Sequence, residues 1–163
     1  MKLKHHVDIQ VEEQVASLKI PLNQKVLKRA VLATLEQQGV TESCEVVVIL
    51  SDDETLRALN RRFRGIDRST DVLSFSDDTR GPFAGGSKRF PLYLGDIVLS
   101  VERAIAQADA ASATFEQELQ VLVIHGALHL LGYDHAEPSE KTQMWAAQEA
   151  VLRHLGIDIS LPE

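Results

Sequence analysis

The chain has 163 residues, which is the size of one compact domain. Its residues are 44% hydrophobic and 25% charged, proportions that exclude a disordered or fibrous protein. The formal net charge of −7 argues against a protein that coats nucleic acid over its whole surface. The single cysteine, Cys44, excludes a disulfide framework, and the first residues lack the apolar core of a signal peptide. We therefore expect one domain over residues 1–163, in the cytoplasm, with no membrane segment.

The first part of the chain predicts two strands and two helices. Residues 7–11 alternate apolar and polar positions, as a half-buried strand does. A helix follows, with Asn23 as its predicted N-cap and Gly39 as its stop. The continuous apolar run at residues 44–50 predicts a buried central strand. The sequence Ser-Asp-Asp-Glu at residues 51–54 is typical of a capping box, so we expect a second helix to begin at once, with the serine as its cap.

That second helix carries a concentrated positive charge. Residues 57–68 hold five arginines against one aspartate, a local charge of +4 in an acidic protein. Arg57, Arg61 and Arg64 recur at helical spacing and are expected to share one face if the last turn extends that far. Such a patch could bind phosphate, although a solvated surface face is the more common role of clustered charge.

The second half of the chain predicts two more strands and three helices. Strands are expected at residues 71–75 and 92–99, separated by a polar, glycine-rich stretch at residues 76–89 that is typical of a long loop. Ser100 is the predicted cap of the next helix. The sequence Thr-Phe-Glu-Gln at residues 114–117 is a second capping box. It begins a helix that is apolar nearly all round, which we therefore expect to be the central buried helix.

A last helix is expected at residues 139–155, with Gly156 as its stop. The sequence contains no internal repeat, no low-complexity tract and no linker that would divide the chain.

Three of the six histidines fall within eleven residues of the central helix and the turn after it. His125 and His129 are four residues apart, which places both imidazoles on one face of a helix about one turn apart. Gly132 suits the left-handed conformation that ends a helix, so the chain can turn back and bring His135 to the same point. Three neutral imidazoles with an open fourth position are typical of a catalytic rather than a structural zinc site. We predict one Zn²⁺ per chain, although imidazoles also accept nickel, copper, cobalt or iron.

The histidine spacing equals that of the metzincin metalloproteases, H-E-x-x-H-x-x-G-x-x-H. Where those enzymes have a glutamate as general base, this chain has Gly126. A peptidase of that type needs the carboxylate to move a proton from the zinc water to the leaving amine. Peptidase activity is therefore disfavoured, and a metallohydrolase of peptides or small molecules remains only as an alternative.

Three stretches together resemble the bacterial YbeY endoribonucleases: LNRRFRGIDRSTDVLSF at residues 59–75, LGDIVLS at residues 94–100, and the histidine stretch at residues 125–135. The three stretches follow one another along the chain in the same order as in the family. The one departure lies at residues 68–69, where many members have a proline before the threonine that follows, and it affects loop stiffness rather than chemistry. The resemblance implies an α+β domain with a small mixed sheet of about four strands packed with about five helices, among them a metzincin-like three-histidine zinc helix.

The resemblance also implies an activity. Members of the family are zinc-dependent enzymes that cut single-stranded RNA, process the 3′ end of 16S ribosomal RNA and act in ribosome maturation and quality control. His125, His129 and His135 match the family's metal ligands, and Arg64 matches an arginine important for activity. The implied partners are single-stranded or ribosomal RNA and the small ribosomal subunit or a ribosomal protein, with no DNA expected.

The chemistry of these residue types agrees with phosphodiester cleavage. Zinc lowers the pKa of a bound water to about 7, so a nucleophile is available without the missing glutamate. A planar guanidinium suits the charge that builds up on phosphate oxygens, and we predict that Arg64 supplies it, with Arg61 as a second substrate-binding residue. Asp96 and Asp134 could orient a ligand histidine or could be turn residues.

The residues leave the nucleophile, the general acid and one alternative function open. The ribose 2′-hydroxyl could attack instead of water, which would leave a 2′,3′-cyclic phosphate, and no residue is assigned as the general acid. The alternative function is that of a ribosome-assembly binding factor in which zinc mainly holds the fold.

Overall fold

A computed structural model describes residues 5–76 and 92–158 of the chain. The strands are β1 (His6–Val11), β2 (Cys44–Ser51), β3 (Val72–Ser76) and β4 (Leu92–Ser100). The helices are α1 (Glu13–Ala16), α2 (Gln24–Gln37), α3 (Asp53–Arg64), α4 (Val101–Ala110), α5 (Phe115–Leu130) and α6 (Pro138–His154). The strands form one mixed sheet in the spatial order β1-β2-β4-β3, with β1, β2 and β4 parallel and β3 antiparallel to β4 at the edge.

The predicted α+β class and the mixed sheet of four strands are confirmed, and each predicted strand end lies within one residue of the observed end. The described residues contain one helix more than expected, because the short α1 follows β1 directly. Apart from Ser76, the loop predicted at residues 76–89 lies outside the described residues. That the domain extends over residues 1–163 stays a prediction.

The N-cap of α3 differs from the one predicted. Ser51 is the last residue of β2 and is fully buried, while Asp52 caps the helix by accepting a hydrogen bond from the backbone N–H of Thr55 at 2.8 Å. The hydrogen bonds from Thr55 hold the pKa of the Asp52 carboxyl below its usual range. The prediction placed the cap one residue too early, because serine and aspartate cap helices equally well and only the end of the strand decides between them.

The two faces of the sheet are covered unequally. Helices α2, α5 and α6 contribute to the large core on one face, where Ile97 and Leu99 of β4 point. Helix α3 covers the other face, where Val98 forms a small core with Leu56 and Leu73. Because side chains alternate along a strand, the arginine-rich α3 and the histidine-bearing α5 lie on opposite faces of the sheet.

The edge strand β3 contacts both of these helices. The Ser74 hydroxyl donates a hydrogen bond to the backbone carbonyl of Gly126 in α5 at 3.0 Å. On the other face, the Phe75 ring packs edge to face against Phe63 of α3, with 5.2 Å between ring centroids. The edge strand therefore contacts both helices, one on each face of the sheet.

Helix α5 lies unusually close to the sheet at Gly126. A Cβ atom built on Gly126 would be 2.6 Å from Cγ2 of Ile97 and 3.1 Å from the Ser74 hydroxyl oxygen. The first of these distances is far below van der Waals contact, so only glycine allows the helix to lie where it does.

Among the described residues, no helix is both long enough and apolar enough to cross a membrane.

We expect Gly126→Ala to lower the free energy of unfolding by a net of about 1–2 kcal/mol, because overpacking outweighs the better helix propensity of alanine. Urea denaturation of the variant measures this change. The matched comparison is the same substitution in an Ile97→Ala background, where the side chain that the new Cβ meets is absent. A cost for Gly126→Ala that is equal in both backgrounds would rule out Ile97 as its cause.

Candidate metal centre

Helix α5 begins with the capping box that the sequence predicts. The Thr114 hydroxyl accepts from the backbone N–H of Gln117 at 3.0 Å, and the Gln117 side chain accepts from the backbone N–H of Thr114 at 3.1 Å. The helix then runs through the core to Leu130, with most of its side chains buried. Its expected position as the central buried helix is confirmed. His125 and His129 lie in its last two turns and are only half-buried.

The chain leaves the helix through the turn at Gly132. Gly132 has φ +103°, a conformation that residues with a Cβ rarely adopt, and its N–H donates to the carbonyl of His129 at 3.0 Å. The N–H of Tyr133 donates to the carbonyl of Leu128, also at 3.0 Å. These bonds close the helix end and direct His135 back toward the two helical histidines.

The three histidines surround a common point. The Nε2 atoms of His125 and His129 are 3.1 Å apart, and one ring nitrogen from each of His125, His129 and His135 lies within 4.8 Å of the others. Two nitrogen ligands at 2.0–2.1 Å from a tetrahedral zinc would be about 3.3 Å apart, so the helical pair already has nearly the required separation. The group could hold a metal ion.

Each helical histidine is also held by its second ring nitrogen. Nδ1 of His125 lies 2.5 Å from Oε1 of the buried Gln148 on α6, and Nδ1 of His129 lies 2.8 Å from the carbonyl oxygen of Tyr133. Because both partners are acceptor oxygens, each Nδ1 carries the proton and donates it. Both Nε2 atoms are then left with a free lone pair, which is the tautomer that a metal ligand needs.

Burial sets the protonation state of the same pair. Desolvation, with some help from the neighbouring His125 and His135, lowers the pKa of His129 to about 4. Desolvation also lowers the pKa of His125. Both rings are therefore neutral at pH 7, so protons do not compete for their lone pairs there.

The two aspartates that were considered as orienting groups have other contacts. The Asp134 carboxylate accepts from the backbone N–H of His135 at 2.7 Å, which makes it a turn residue, the second of the roles considered for it. The Asp96 carboxylate accepts from the hydroxyl of Tyr93. An amide and a backbone carbonyl orient the helical histidines instead. Gln148 was not predicted from the sequence, where its only signal is its place among the apolar, inward positions of α6.

Trp145 of α6 forms one wall of the histidine cluster. Its ring lies edge to face with those of His125 and His135, at centroid distances of 5.9 and 5.7 Å. The ammonium group of Lys141 lies over the same indole, 5.4 Å from the ring centroid. The tryptophan therefore packs against two of the three imidazoles, of which His135 is exposed.

The predicted substrate-binding arginines lie on the other face of the sheet. Helix α3 continues to Arg64, so Arg57, Arg61 and Arg64 follow one another at the helical spacing that the sequence predicts. Arg57 forms a two-point ion pair with Asp67, with its Nε at 2.8 Å from the carboxylate. Arg61 and Arg64 are exposed, and within residues 5–76 and 92–158 they have no ion-pair partner and no contact with the histidines. The structure thus brings the three histidines together and leaves the arginines apart from them.

Comparison with known proteins gives the same family along nearly the whole chain. The family model described as Endoribonuclease YbeY matches residues 8–156. The Endoribonuclease YbeY of Roseiflexus castenholzii is 41% identical over 152 residues, covering 93% of each chain, and that of Chloroflexus aggregans is 38% identical over 156 residues, covering 95% of this chain and 99% of the relative. The solution structure of TM1509 from Thermotoga maritima is similar with a TM-score of 0.51 and 26% identity, covering 92% and 91% of the two chains. The chain therefore belongs to the YbeY family of endoribonucleases.

Proposed function

We propose that this endoribonuclease is a zinc enzyme that cuts single-stranded RNA, and that it acts on the 3′ end of 16S ribosomal RNA and in ribosome quality control. Family membership implies RNA as the substrate class. The observation that carries the zinc part of the proposal is the pair of Nε2 atoms, 3.1 Å apart, on two neutral imidazoles whose Nδ1 atoms are both engaged. Three imidazoles that leave a ligand position open suit a catalytic zinc.

In this proposal the three histidines bind the ion, and neighbouring residues orient the histidine rings. His125, His129 and His135 would hold one zinc per chain, while Gln148 and the carbonyl of Tyr133 fix two of the rings in orientation and tautomer. Trp145 packs against the rings of His125 and His135 and forms one wall of the cluster. When bound, the ion supplies Lewis-acid activation of water near neutral pH and positive charge beside the phosphate.

Arg64 is proposed to bind the substrate phosphate, with Arg61 beside it. Both guanidinium groups are exposed at the end of α3, and a guanidinium offers a planar fork of donors that fits phosphate oxygens. The strand β3 connects the two regions, because Ser74 binds α5 and Phe75 contacts α3. An extended RNA strand that crosses this edge of the sheet would meet the arginines on one face and the histidines on the other.

A peptidase remains disfavoured for a structural reason. In this chain, Gly126 occupies the position at which metzincins have the general base, and a side chain there would point into the sheet at Ile97 and Ser74. Proposed partners are the small ribosomal subunit or a ribosomal protein, because a chain with a net charge of −7 would bind free RNA weakly and would gain affinity by docking on a ribosomal surface.

The zinc and the RNA cleavage are tested in one experiment with His129→Ala. The purified wild-type chain should contain about one zinc, measured by mass spectrometry, and should cut single-stranded RNA but not DNA of the same sequence. The variant should lose the metal and cleave at least about 100-fold more slowly, since even the loss of an outer hydrogen bond at such a site costs 10–100-fold. The exposed His154→Ala is the matched control.

The same experiment decides between the two leading functions. Stoichiometric zinc with RNA cleavage no faster than in the His129→Ala variant would favour the assembly factor over the enzyme. The end group of the product then separates the two nucleophiles, because attack by the 2′-hydroxyl leaves a 2′,3′-cyclic phosphate and attack by water does not.

Gln148→Ala should weaken zinc binding about 10–100-fold, because the His125 ring loses the acceptor that fixes its Nδ1 proton. Competition with a chromophoric chelator measures the affinity. Gln148→Glu keeps an oxygen acceptor and should bind zinc more tightly than the alanine variant, while the exposed Gln143→Ala on the same helix should match the wild type. Equal zinc affinity for all four proteins would remove Gln148 from the site.

Arg64→Ala should reduce the kcat/KM for RNA about 100- to 1000-fold, the usual cost of removing one donor to a developing negative charge. Zinc content should stay the same, because the residue does not contact the histidines. Arg64→Lys should recover only part of the rate, since an ammonium cannot bind two phosphate oxygens in one plane. The exposed Arg29→Ala on α2 controls for the loss of one positive charge, and an equal effect of both alanine variants would refute a specific role for Arg64.

A further inference from the structure

We propose that Phe63 is a base-stacking platform, on which one base of the RNA strand lies while Arg61 and Arg64 bind the neighbouring phosphates. This inference rests on the proposed action on single-stranded RNA. It adds a contact with a base, whereas the arginines contact only the backbone.

The Phe63 side chain is exposed although it is aromatic. Its relative exposure is 58%, the highest among the large hydrophobic residues that are exposed in the described part of the chain. Helix α3 uses Leu56 and Leu59, not Phe63, to cover the sheet. A single exposed apolar residue is common, so exposure alone does not indicate a binding site.

The surroundings of the ring distinguish it from an ordinary surface residue. Phe75 of β3 packs against Phe63 with ring planes 66° apart, and the guanidinium carbon of Arg62 lies 5.1 Å from the Phe63 ring centroid. These contacts hold the ring in position, yet more than half of its surface stays accessible. An aromatic ring fixed before the ligand arrives loses little entropy when a base stacks on it.

The charge around the ring suits a nucleic acid strand. Arg61, Arg62 and Arg64 flank Phe63 in the last turn of α3, and in the described part of the chain none of the three forms a direct ion pair, although Arg61 lies near enough to Asp67 to help lower the pKa of its carboxyl. Proteins that bind single strands combine cations that follow the phosphates with aromatic rings that stack on the bases. Every base has a flat face, so this contact is independent of sequence.

The position of the ring links it to the metal centre. Its partner Phe75 lies on β3, and the backbone of Phe75 and the side chain of Leu130 both lie against Gly95 of β4. Leu130 is the residue next to the ligand His129 in α5. A base on Phe63 would therefore anchor the strand at the edge of the sheet, beyond which the histidines lie.

The test compares two single-stranded RNAs of equal length, one with bases and one abasic throughout. Binding is measured by fluorescence anisotropy on full-length chains that carry His129→Ala, so that the RNA stays intact. Phe63→Ala should bind the RNA with bases about 5- to 100-fold more weakly than its parent, the range for one lost stack. It should bind the abasic RNA as its parent does, whereas Arg64→Ala should weaken the binding of both.

Further variants separate stacking from packing. Phe63→Trp should bind like the parent, while Phe63→Leu keeps an apolar side chain against Phe75 but should bind as weakly as Phe63→Ala. Leu18→Ala removes a side chain of similar exposure, 56%, far from α3 in sequence and should have no effect. In the metal-loaded enzyme, Phe63→Ala should raise the KM for RNA and change kcat little.

The outcomes that overturn the proposal differ from those that overturn the function. If Phe63→Ala weakens the binding of both RNAs equally, the ring does not stack on a base. The same conclusion follows if the substitution weakens the binding of neither RNA. If Phe63→Leu binds RNA like the parent, the contact is apolar packing and not stacking of a base on an aromatic ring. If the wild-type chain cuts no RNA, the proposed function fails, and that result appears before any Phe63 variant is made.

Discussion

The close approach of α5 to the sheet is the constraint on which the metal centre depends. At Gly126 the helix backbone lies so near Ile97 that no Cβ fits between them. Successive residues of a helix are rotated by about 100°, so fixing position 126 against the sheet also fixes the direction of its neighbours. His125 then meets Gln148 and Trp145 of α6, while His129, one turn later, meets the carbonyl of Tyr133 in the turn that follows the helix.

Burial gives these histidines their chemistry and creates a cost that the fold has to offset. A half-buried imidazole loses water, which lowers the pKa of His125 and His129 and keeps both rings neutral. A neutral ring still has an N–H that needs an acceptor, and a buried polar group without one would be destabilising by about 1–3 kcal/mol. Gln148 and the carbonyl of Tyr133 fill that need. The same two hydrogen bonds that stabilise the fold therefore also direct the Nε2 lone pairs at one point.

Much of this arrangement follows from short-range sequence signals. The caps at Asn23, Ser100 and Thr114 and the convergence of the three histidines depend on residues close together in the chain, and the structure agrees with the predictions made from them. The cap at Asp52 was wrong by one residue, because it depends on where β2 ends, and that depends on pairing with a distant strand.

Contacts that join distant parts of the chain could not be predicted in this way. Gln148 is 23 residues from His125, and only the packing of α6 on α5 brings them together. Alternate side chains of β4 point to opposite faces of the sheet, and α3 and α5 each cover one of these faces. A strand that is apolar at every position does not reveal which side chains point to which face. The sequence therefore predicts that the arginines share one helix and that the histidines converge, but it does not predict the distance between the two groups.

The edge strand β3 lies between the exposed arginines of α3 and the histidines of α5, and this separation favours an extended substrate over a small one. A small molecule would need its binding and reacting groups within one pocket, whereas here the arginine-bearing α3 and the histidine-bearing α5 contact β3 from opposite faces, through Phe63 and Gly126. A flexible polymer with regularly spaced charges can reach both at once, because each nucleotide adds a phosphate for the guanidinium groups and a base for an exposed ring. For the single-stranded RNA that we propose as the substrate, binding would require ordering of the strand across the edge of the sheet, and a double helix, which cannot splay its bases onto a ring, would meet only the arginines.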